Sequence, residues 1–159
     1  MESNKLLAVI RLRGLVNIRG EINDTLKMLR LHHINHVALI NSSPSYLGML
    51  QKAKDYITWG EIDAETLSWL LIKRGRLIGD KRLNDQYIKE NVKFKTVDEF
   101  ANAVYKNQAK LSDIPYLKPV FRLRPPKKGF HRTIKKSFHA SGELGNRGEK
   151  INELLMKMI

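Results

Sequence analysis

The chain of 159 residues contains no cysteine. That absence excludes disulfide bridges, thiolate zinc sites and cysteine nucleophiles together, and it fits a reducing compartment. No apolar run approaches the roughly 20 residues that a membrane-spanning helix needs. The first such run, Leu6–Ile10, is too short for a signal sequence and is followed at once by an arginine. We therefore expect a soluble, intracellular protein.

Acidic residues are scarce, with 16 Asp or Glu against 29 Lys or Arg and a net charge of +13. Residues 61–117 are nearly neutral, with 10 basic and 9 acidic side chains, whereas residues 118–150 hold 10 and 2. The stretch Phe121–His139 has seven Lys or Arg and no acid. Solubility alone is served by mixed charges, so a segment of one sign indicates a polyanionic partner such as nucleic acid or an acidic membrane surface.

Catalytic signatures are also missing. The chain has no Gly-rich phosphate loop, nucleophile elbow or paired metal-ligand motif, and the acids Glu61, Asp63 and Glu65 lie where a helix should begin. His32, His33 and His36 have no neighbouring carboxylate or cysteine, so no metal site is predicted. We expect no enzyme activity, no cofactor and no small-molecule substrate; a cationic nuclease is the alternative in this class.

A membrane-surface protein would place its cations on an amphipathic helix. Here the final helix carries only Lys150 and Lys157, and the other cations of this region lie in chain broken by proline and glycine. No helix-turn-helix with a basic recognition helix is apparent, and extended basic segments suit folded RNA better than a regular duplex groove. The charge pattern therefore favours RNA and predicts no membrane partner.

The first 60 residues predict a β-α-β-α-β core. Both helices should cover one face of a small sheet and leave the other face open. Alternation in the first strand places Arg11 and Arg13 on the same side, looking onto the open face or its rim. The predicted strands are Leu6–Leu12, His36–Asn41 and Tyr56–Ile62, and the helices are Glu21–Leu31 and a segment that begins with Ser43 as N-cap and Pro44 at its first position.

The remaining chain predicts a helical extension over residues 61–117 and a basic arm with a terminal helix over residues 118–159. In the extension, Gly75 should end one helix and Thr96–Glu99 should form a capping box for another. In the arm, Phe121–Arg124 should be a short strand with both arginines pointing outward. The chain should then stay extended to about Gly148, with Asn146 as a candidate cap for the last helix.

Arginine and lysine on extended backbone are suited to phosphate, and aromatic side chains such as Phe130 and Phe138 are suited to base stacking. The candidate RNA-binding residues are Arg11, Arg13, Arg19, Arg30, His33, Arg74, Arg76, Arg122, Arg124, Lys127, Lys128, Arg132, Lys135, Lys136 and Arg147.

Several segments together resemble a known family, the large-subunit ribosomal proteins of the L-thirty family in their long archaeal form, which is similar to the eukaryotic large-subunit protein numbered seven. The resemblance covers nearly the whole chain, and its specific parts are "WGE", "KRG" and "GNRGEKIN". The segments are "VIRLRGLVNI", "LRLHHINHVALIN", "YITWGEI", "LLIKRGR", "FRLRPPKKGF" and "GELGNRGEKINELLMKM".

The resemblance implies an α+β, ferredoxin-like core with an antiparallel sheet. It also implies a non-catalytic structural role on the cytoplasmic ribosome, with contacts to large-subunit ribosomal RNA near the 5S RNA region and to other ribosomal proteins. The alternative is a free-standing RNA-binding or ribosome-assembly factor. Two positions depart from the family pattern, since Lys128 and Ser141 stand where the family commonly has glycine.

Overall fold

The computed structural model describes residues 5–159 and shows a mixed α+β fold built on one six-stranded sheet with six α-helices. In chain order, the elements are β1 Leu6–Arg11, α1 Gly20–Met28, β2 His36–Asn41, α2 Pro44–Lys52, β3 Ile57–Glu61, α3 Ala64–Arg74, α4 Asp85–Asn91, α5 Val97–Tyr105, β4 Val120–Arg122, β5 Thr133–Ser137, β6 Gly142–Asn146 and α6 Ile151–Met158. The predicted order β-α-β-α-β for the first 60 residues is confirmed.

The sheet has the strand order β4-β2-β1-β3-β6-β5. Strand β1 lies between β2 and β3 and pairs antiparallel with both, as expected, with Val9 opposite Ala38 on one side and Trp59 on the other. Strand β4 adds antiparallel to β2, but β6 adds parallel to β3, and β5 parallel to β6. The arm therefore supplies both edges of the sheet: β4 at the predicted short strand, and β5 within the part that was expected only to be extended.

Local capping chemistry explains several helix boundaries. Ser43 accepts a hydrogen bond from the Tyr46 N–H and Pro44 starts α2, as predicted. Thr96 caps α5 by accepting from the Glu99 N–H, but the Glu99 carboxylate accepts from the Lys95 N–H, one residue before the N-cap. The expected capping box is therefore only half formed.

Both faces of the sheet are covered, which differs from the expected open face. Helices α1 and α2 pack on the side of Leu7 and Val9. The side of Ala8 and Ile10 forms a second core with residues from α3, α5 and α6. Both faces of β1 are apolar, so its local sequence does not show which helices pack on which face.

The start of the last helix also differs from the prediction. Asn146 accepts from the Gly148 N–H within a turn, and α6 begins later, at Ile151. A short 3-10 turn, Gly148–Lys150, leads into α6. The Asn146 side chain therefore bonds to the start of this turn and not to the start of α6.

Residues of all three predicted segments, 1–60, 61–117 and 118–159, share the core on the side of Ile10. The division of the chain into these segments stays a prediction. Within residues 5–159, no helix has the length and apolar character needed to cross a bilayer.

The two positions that depart from the family pattern both adopt left-handed backbone. Lys128 has φ 64° and Ser141 has φ 60°. Lys128 is the third residue of a turn closed by the Gly129 N–H donating to the Pro126 carbonyl, and such a turn favours glycine at that place. Ser141 precedes Gly142, at which a Cβ would lie 1.9 Å from the Lys136 carbonyl oxygen. The unusual residues therefore keep the turn geometry at a conformational cost.

We expect Ser141→Gly to raise the free energy of unfolding by about 1 kcal/mol, because glycine adopts the left-handed region without the steric cost of a Cβ. Urea unfolding of the two proteins measures the difference. Ser137→Gly is the matched control, because Ser137 has φ −67° and should gain nothing. Equal gains in the two variants would contradict a conformational origin.

Candidate nucleic-acid interface

The structure separates the candidate RNA-binding residues by exposure. Arg11 and Arg147 are buried, while Arg13, Arg74 and Arg76 are half-buried. The exposed members are Arg19, Arg30, His33, Arg122, Arg124, Lys127, Lys128, Arg132, Lys135 and Lys136.

Arg11 serves the protein interior, contrary to the expectation that it would face RNA. Its side chain is 1% exposed, and its guanidinium donates to the carbonyl oxygens of Arg13 at 2.9 Å, Leu31 at 2.8 Å and His32 at 3.0 Å. Burial lowers the pKa of this guanidinium. Because its donors hold the loop after α1 against the end of β1, Arg11 is a structural residue.

Arg147, another candidate RNA-binding residue, is also buried. It is 8% exposed and forms a buried ion pair with Glu143, with Nη2 and Oε2 separated by 2.7 Å. Its Nε donates to Thr58 on β3, and Nη2 also donates to the Glu143 carbonyl. Burial lowers the pKa of Arg147, and the hydrogen bond and charge of Glu143 oppose that effect. This network ties β6 to β3.

Arg13 is held at the rim of the sheet. Its guanidinium lies 5.3 Å from the centre of the Tyr56 ring and donates to the Asp55 carbonyl at 3.2 Å. It stays half-buried, so part of the guanidinium faces solvent. Arg19 and Arg30 are exposed at the two ends of α1, and Arg30 has a left-handed φ of 61°.

Arg122 at the end of the edge strand β4 and Arg124 just beyond it are both on the outer side, as the alternation predicts. Phe121 and Leu123 are buried, whereas Arg122 and Arg124 are exposed. The register places Arg122 opposite His36 on β2. This corner of the sheet therefore places Arg122 beside His36, the first residue of β2.

Four arginines from distant parts of the chain converge at a second cleft. Arg74, Arg76, Arg82 and Arg124 line an opening of about 690 Å³ near Ile159. Arg74 Nη2 donates to the backbone oxygen of Ile159 at 2.8 Å, while its buried Nε has no partner. Burial, together with the charges of Arg124 and Arg76, lowers the pKa of Arg74.

The two acids that line this cleft, Asp85 and Asp98, each accept a hydrogen bond from a neutral group. Asp85 accepts from the Val97 N–H, and Asp98 accepts from the Ser68 hydroxyl. In the described part of the chain, no ion pair joins any of the four arginines to an Asp or Glu side chain. Converging like charges of this kind repel one another until an anion binds, and guanidinium groups are well suited to phosphate.

The basic arm crosses the end of α6. Backbone N–H groups of Arg124 and Lys127 donate to the carbonyls of Met158 and Lys157. The arm continues to β5, where Lys135 and Lys136 are exposed. Strands β4 and β5 are the two edges of the sheet, five strand spacings or about 24 Å apart. Cations on edge strands also prevent edge-to-edge aggregation. This is the structural explanation for these lysines and arginines that needs no RNA.

Sequence reasoning missed Arg82, Lys150 and Lys157. Arg82 pairs with Arg76 through an isolated β-bridge, and this pairing brings it into the arginine cleft. In the sequence, Arg82 lies in the nearly neutral region 61–117, where nothing distinguishes it from the other basic residues. Across residues 5–159 there is no group of three His, Cys, Asp or Glu side chains placed to hold a metal ion.

His36 is half-buried, and its Nδ1 is buried without a hydrogen-bond partner. Burial lowers the pKa of His36 from 6.5 to about 4, and the nearby charges of His33, Arg122, His32 and Arg11 act in the same direction. The folded protein therefore keeps this imidazole neutral at pH values where the unfolded chain protonates it.

We expect His36→Gln to reduce the loss of stability on acidification. The unfolded state binds a proton below about pH 6.5 and the folded state only near pH 4, so acidification across this window favours unfolding. The wild type should lose about 1–2 kcal/mol more than the variant between pH 6.5 and 4.5, allowing for partial solvent screening. Urea unfolding at both pH values measures this, with His139→Gln as the exposed control; identical pH profiles for wild type and His36→Gln would contradict the prediction.

The family model described as Ribosomal protein L30p/L7e matches residues 7–57. The chain is 53% identical over 154 residues to the large ribosomal subunit protein uL30 of Methanoregula boonei, covering 96% of this chain and 99% of that protein. It is 52% identical over 153 residues to uL30 of Archaeoglobus fulgidus and 47% over 153 residues to that of Methanocorpusculum labreanum, with the same two coverages. The resemblance stated from the sequence motifs is confirmed, and the chain belongs to the ribosomal protein L30p/L7e family.

Proposed function

We propose that the protein is a structural, non-catalytic constituent of the large ribosomal subunit that binds large-subunit ribosomal RNA during translation in the cytoplasm. The observation that carries this proposal is the convergence of Arg74, Arg76, Arg82 and Arg124 at one cleft, with no Asp or Glu side chain in residues 5–159 forming an ion pair with them. Such a site gains most from an anion with several charged oxygens.

The exposed cations extend the same surface. Arg122 lies on β4, Lys127 and Lys128 follow it, and Lys135 and Lys136 lie on β5. A span of about 24 Å between the two edges suits an extended polyanion better than a single small ligand. The names of the relatives support the large ribosomal subunit as the assembly in which this polyanion is ribosomal RNA.

Sedimentation of lysates from cells that produce the chain tests the proposal. We expect about one copy in each large subunit, retained at moderate salt. A free-standing RNA-binding or assembly factor would instead be present in fewer copies and lost on mild washing. Chemical footprinting of intact subunits, with and without the protein, then tests RNA contact and whether the protected nucleotides lie near the 5S RNA, with other ribosomal proteins as neighbours.

A further inference from the structure

A smaller cleft lies between the arm and α6, outside the arginine cleft. It has a volume of about 280 Å³, near the lower end of small-molecule sites at about 300 Å³. Phe130, Phe138 and Leu154 give it an apolar lining. Its charged lining residues are the cations Arg132, Arg147, Lys150 and Lys157 and the acids Glu143 and Glu153.

The Phe138 ring is half-buried and surrounded by cations. The side-chain charges of Arg147, Arg132 and Lys150 lie 5.1, 5.4 and 5.6 Å from its centre. Glu143 compensates Arg147, but in the part of the chain that the structure describes neither Arg132 nor Lys150 forms an ion pair. Beside the Phe138 ring the cleft therefore offers two cations without an ion pair, and the Glu153 carboxylate and Lys157 line the same cleft.

We propose that this cleft binds a single unstacked RNA nucleotide, with its base against Phe138 and its phosphate between Arg132 and Lys150. The proposal rests on the RNA binding proposed above and assigns one ligand class to a specific place. Aromatic rings and guanidinium planes are the surfaces on which unpaired bases stack, and adjacent cations bind the phosphate.

The apolar lining favours a nucleotide over an acidic peptide. A carboxylate side chain would neutralise Arg132 and Lys150 but leave the exposed parts of the half-buried Phe138 and Phe130 rings uncovered. A nucleobase covers this apolar surface, and the phosphate attached to the same nucleotide reaches the cations. The small volume admits one base rather than a stack of several.

Titration of the full chain with adenosine monophosphate, followed by NMR, tests the ligand class. We expect saturable shifts of the Phe138 and Phe130 ring signals and of the Lys150 amide, at millimolar nucleotide. Inorganic phosphate and a glutamate-rich peptide are the comparison ligands and should leave the ring signals nearly unchanged. Equal shifts of the ring signals with either of them would overturn the proposal in favour of a simple anion or peptide site.

Substitution of Phe138 separates this site from general RNA binding. Phe138→Leu should weaken binding of a single-stranded oligoadenylate about tenfold, the effect of one lost base stack. It should leave the salt dependence and the binding of a short RNA duplex unchanged, because no cation is removed. Lys150→Gln should weaken oligoadenylate binding severalfold, and Tyr105→Leu, an exposed aromatic residue on α5, should have no effect.

Thermal melting verifies that each variant is folded, and the exposed Lys150 provides a second variant if Phe138→Leu unfolds. Wild-type protein that binds neither oligoadenylate nor duplex would overturn the proposed RNA-binding function itself. Normal RNA binding that is unaffected by both Phe138→Leu and Lys150→Gln would overturn only the nucleotide site.

Discussion

Replacing Arg122, Arg124 and Lys127 by alanine together with Lys128→Gly is expected to abolish most of the affinity for a large-subunit ribosomal RNA transcript. Each lost phosphate contact makes the slope of log K against log[salt] shallower by about 0.7–0.9 units. With all four side chains on phosphate, the slope changes by about 3 units and affinity near 0.1 M salt falls on the order of 1,000-fold. Filter binding across a salt series measures both quantities.

The fold should survive this change. All four side chains are exposed, and glycine suits the left-handed backbone of residue 128. A control that removes the exposed Lys54, Lys89, Lys93 and Lys95 loses the same charge from other parts of the surface. If the control changes the slope as much as the arm variant does, then RNA responds to net charge and the arm is not its contact surface.

The second large effect is expected from Glu143→Ala. This change leaves the Arg147 guanidinium buried without its carboxylate, and breaking a buried pair in this way costs about 3–5 kcal/mol. It also removes the acceptor of the Arg132 N–H, which donates to Glu143 Oε1. We expect a strongly lowered midpoint of urea unfolding and, at 37 °C, partial unfolding.

Two further variants identify the cause of that loss. Glu143→Leu combined with Arg147→Met should recover most of the stability, because apolar side chains of similar volume avoid the unpaired charge. Asp24→Ala breaks the exposed pair with Lys27 and should cost at most about 0.5 kcal/mol. A double variant as unstable as Glu143→Ala would show that the pair itself, rather than the isolated charge, maintains this region.

The two Arg-Leu-Arg triplets show how far sequence alone could predict the site. At residues 122–124 the alternation correctly places the arginines outward, because β4 is an edge strand with one buried face. At residues 11–13 the same pattern fails for Arg11, because β1 is central and covered on both faces. Alternation along a strand shows which side chains share a face, but it does not show whether later elements cover that face.

The arginine cleft shows a different limit. Arg74 and Arg76 are separated from Arg124 by about fifty positions, and only the docking of α3, β4 and α6 brings them together. Likewise, β6 was predicted only as extended chain, since its sequence GELGN has two glycines and little alternation. Its pairing with β3 is a property of the tertiary structure. Short-range signals such as Ser43 and Thr96, in contrast, located helix starts correctly.

The parallel pairing of β6 with β3 has a consequence for biosynthesis. Residues 142–158 supply Leu144, Ile151 and Leu155, which cover the Ile10 side of β1, although β1 is translated more than 130 positions earlier. Until these residues are synthesised and folded, the part of that side which they cover stays exposed to water, although α3 and α5 can already cover the rest. Such late closure favours slow, post-translational completion of folding and makes the incomplete chain a candidate client of chaperones.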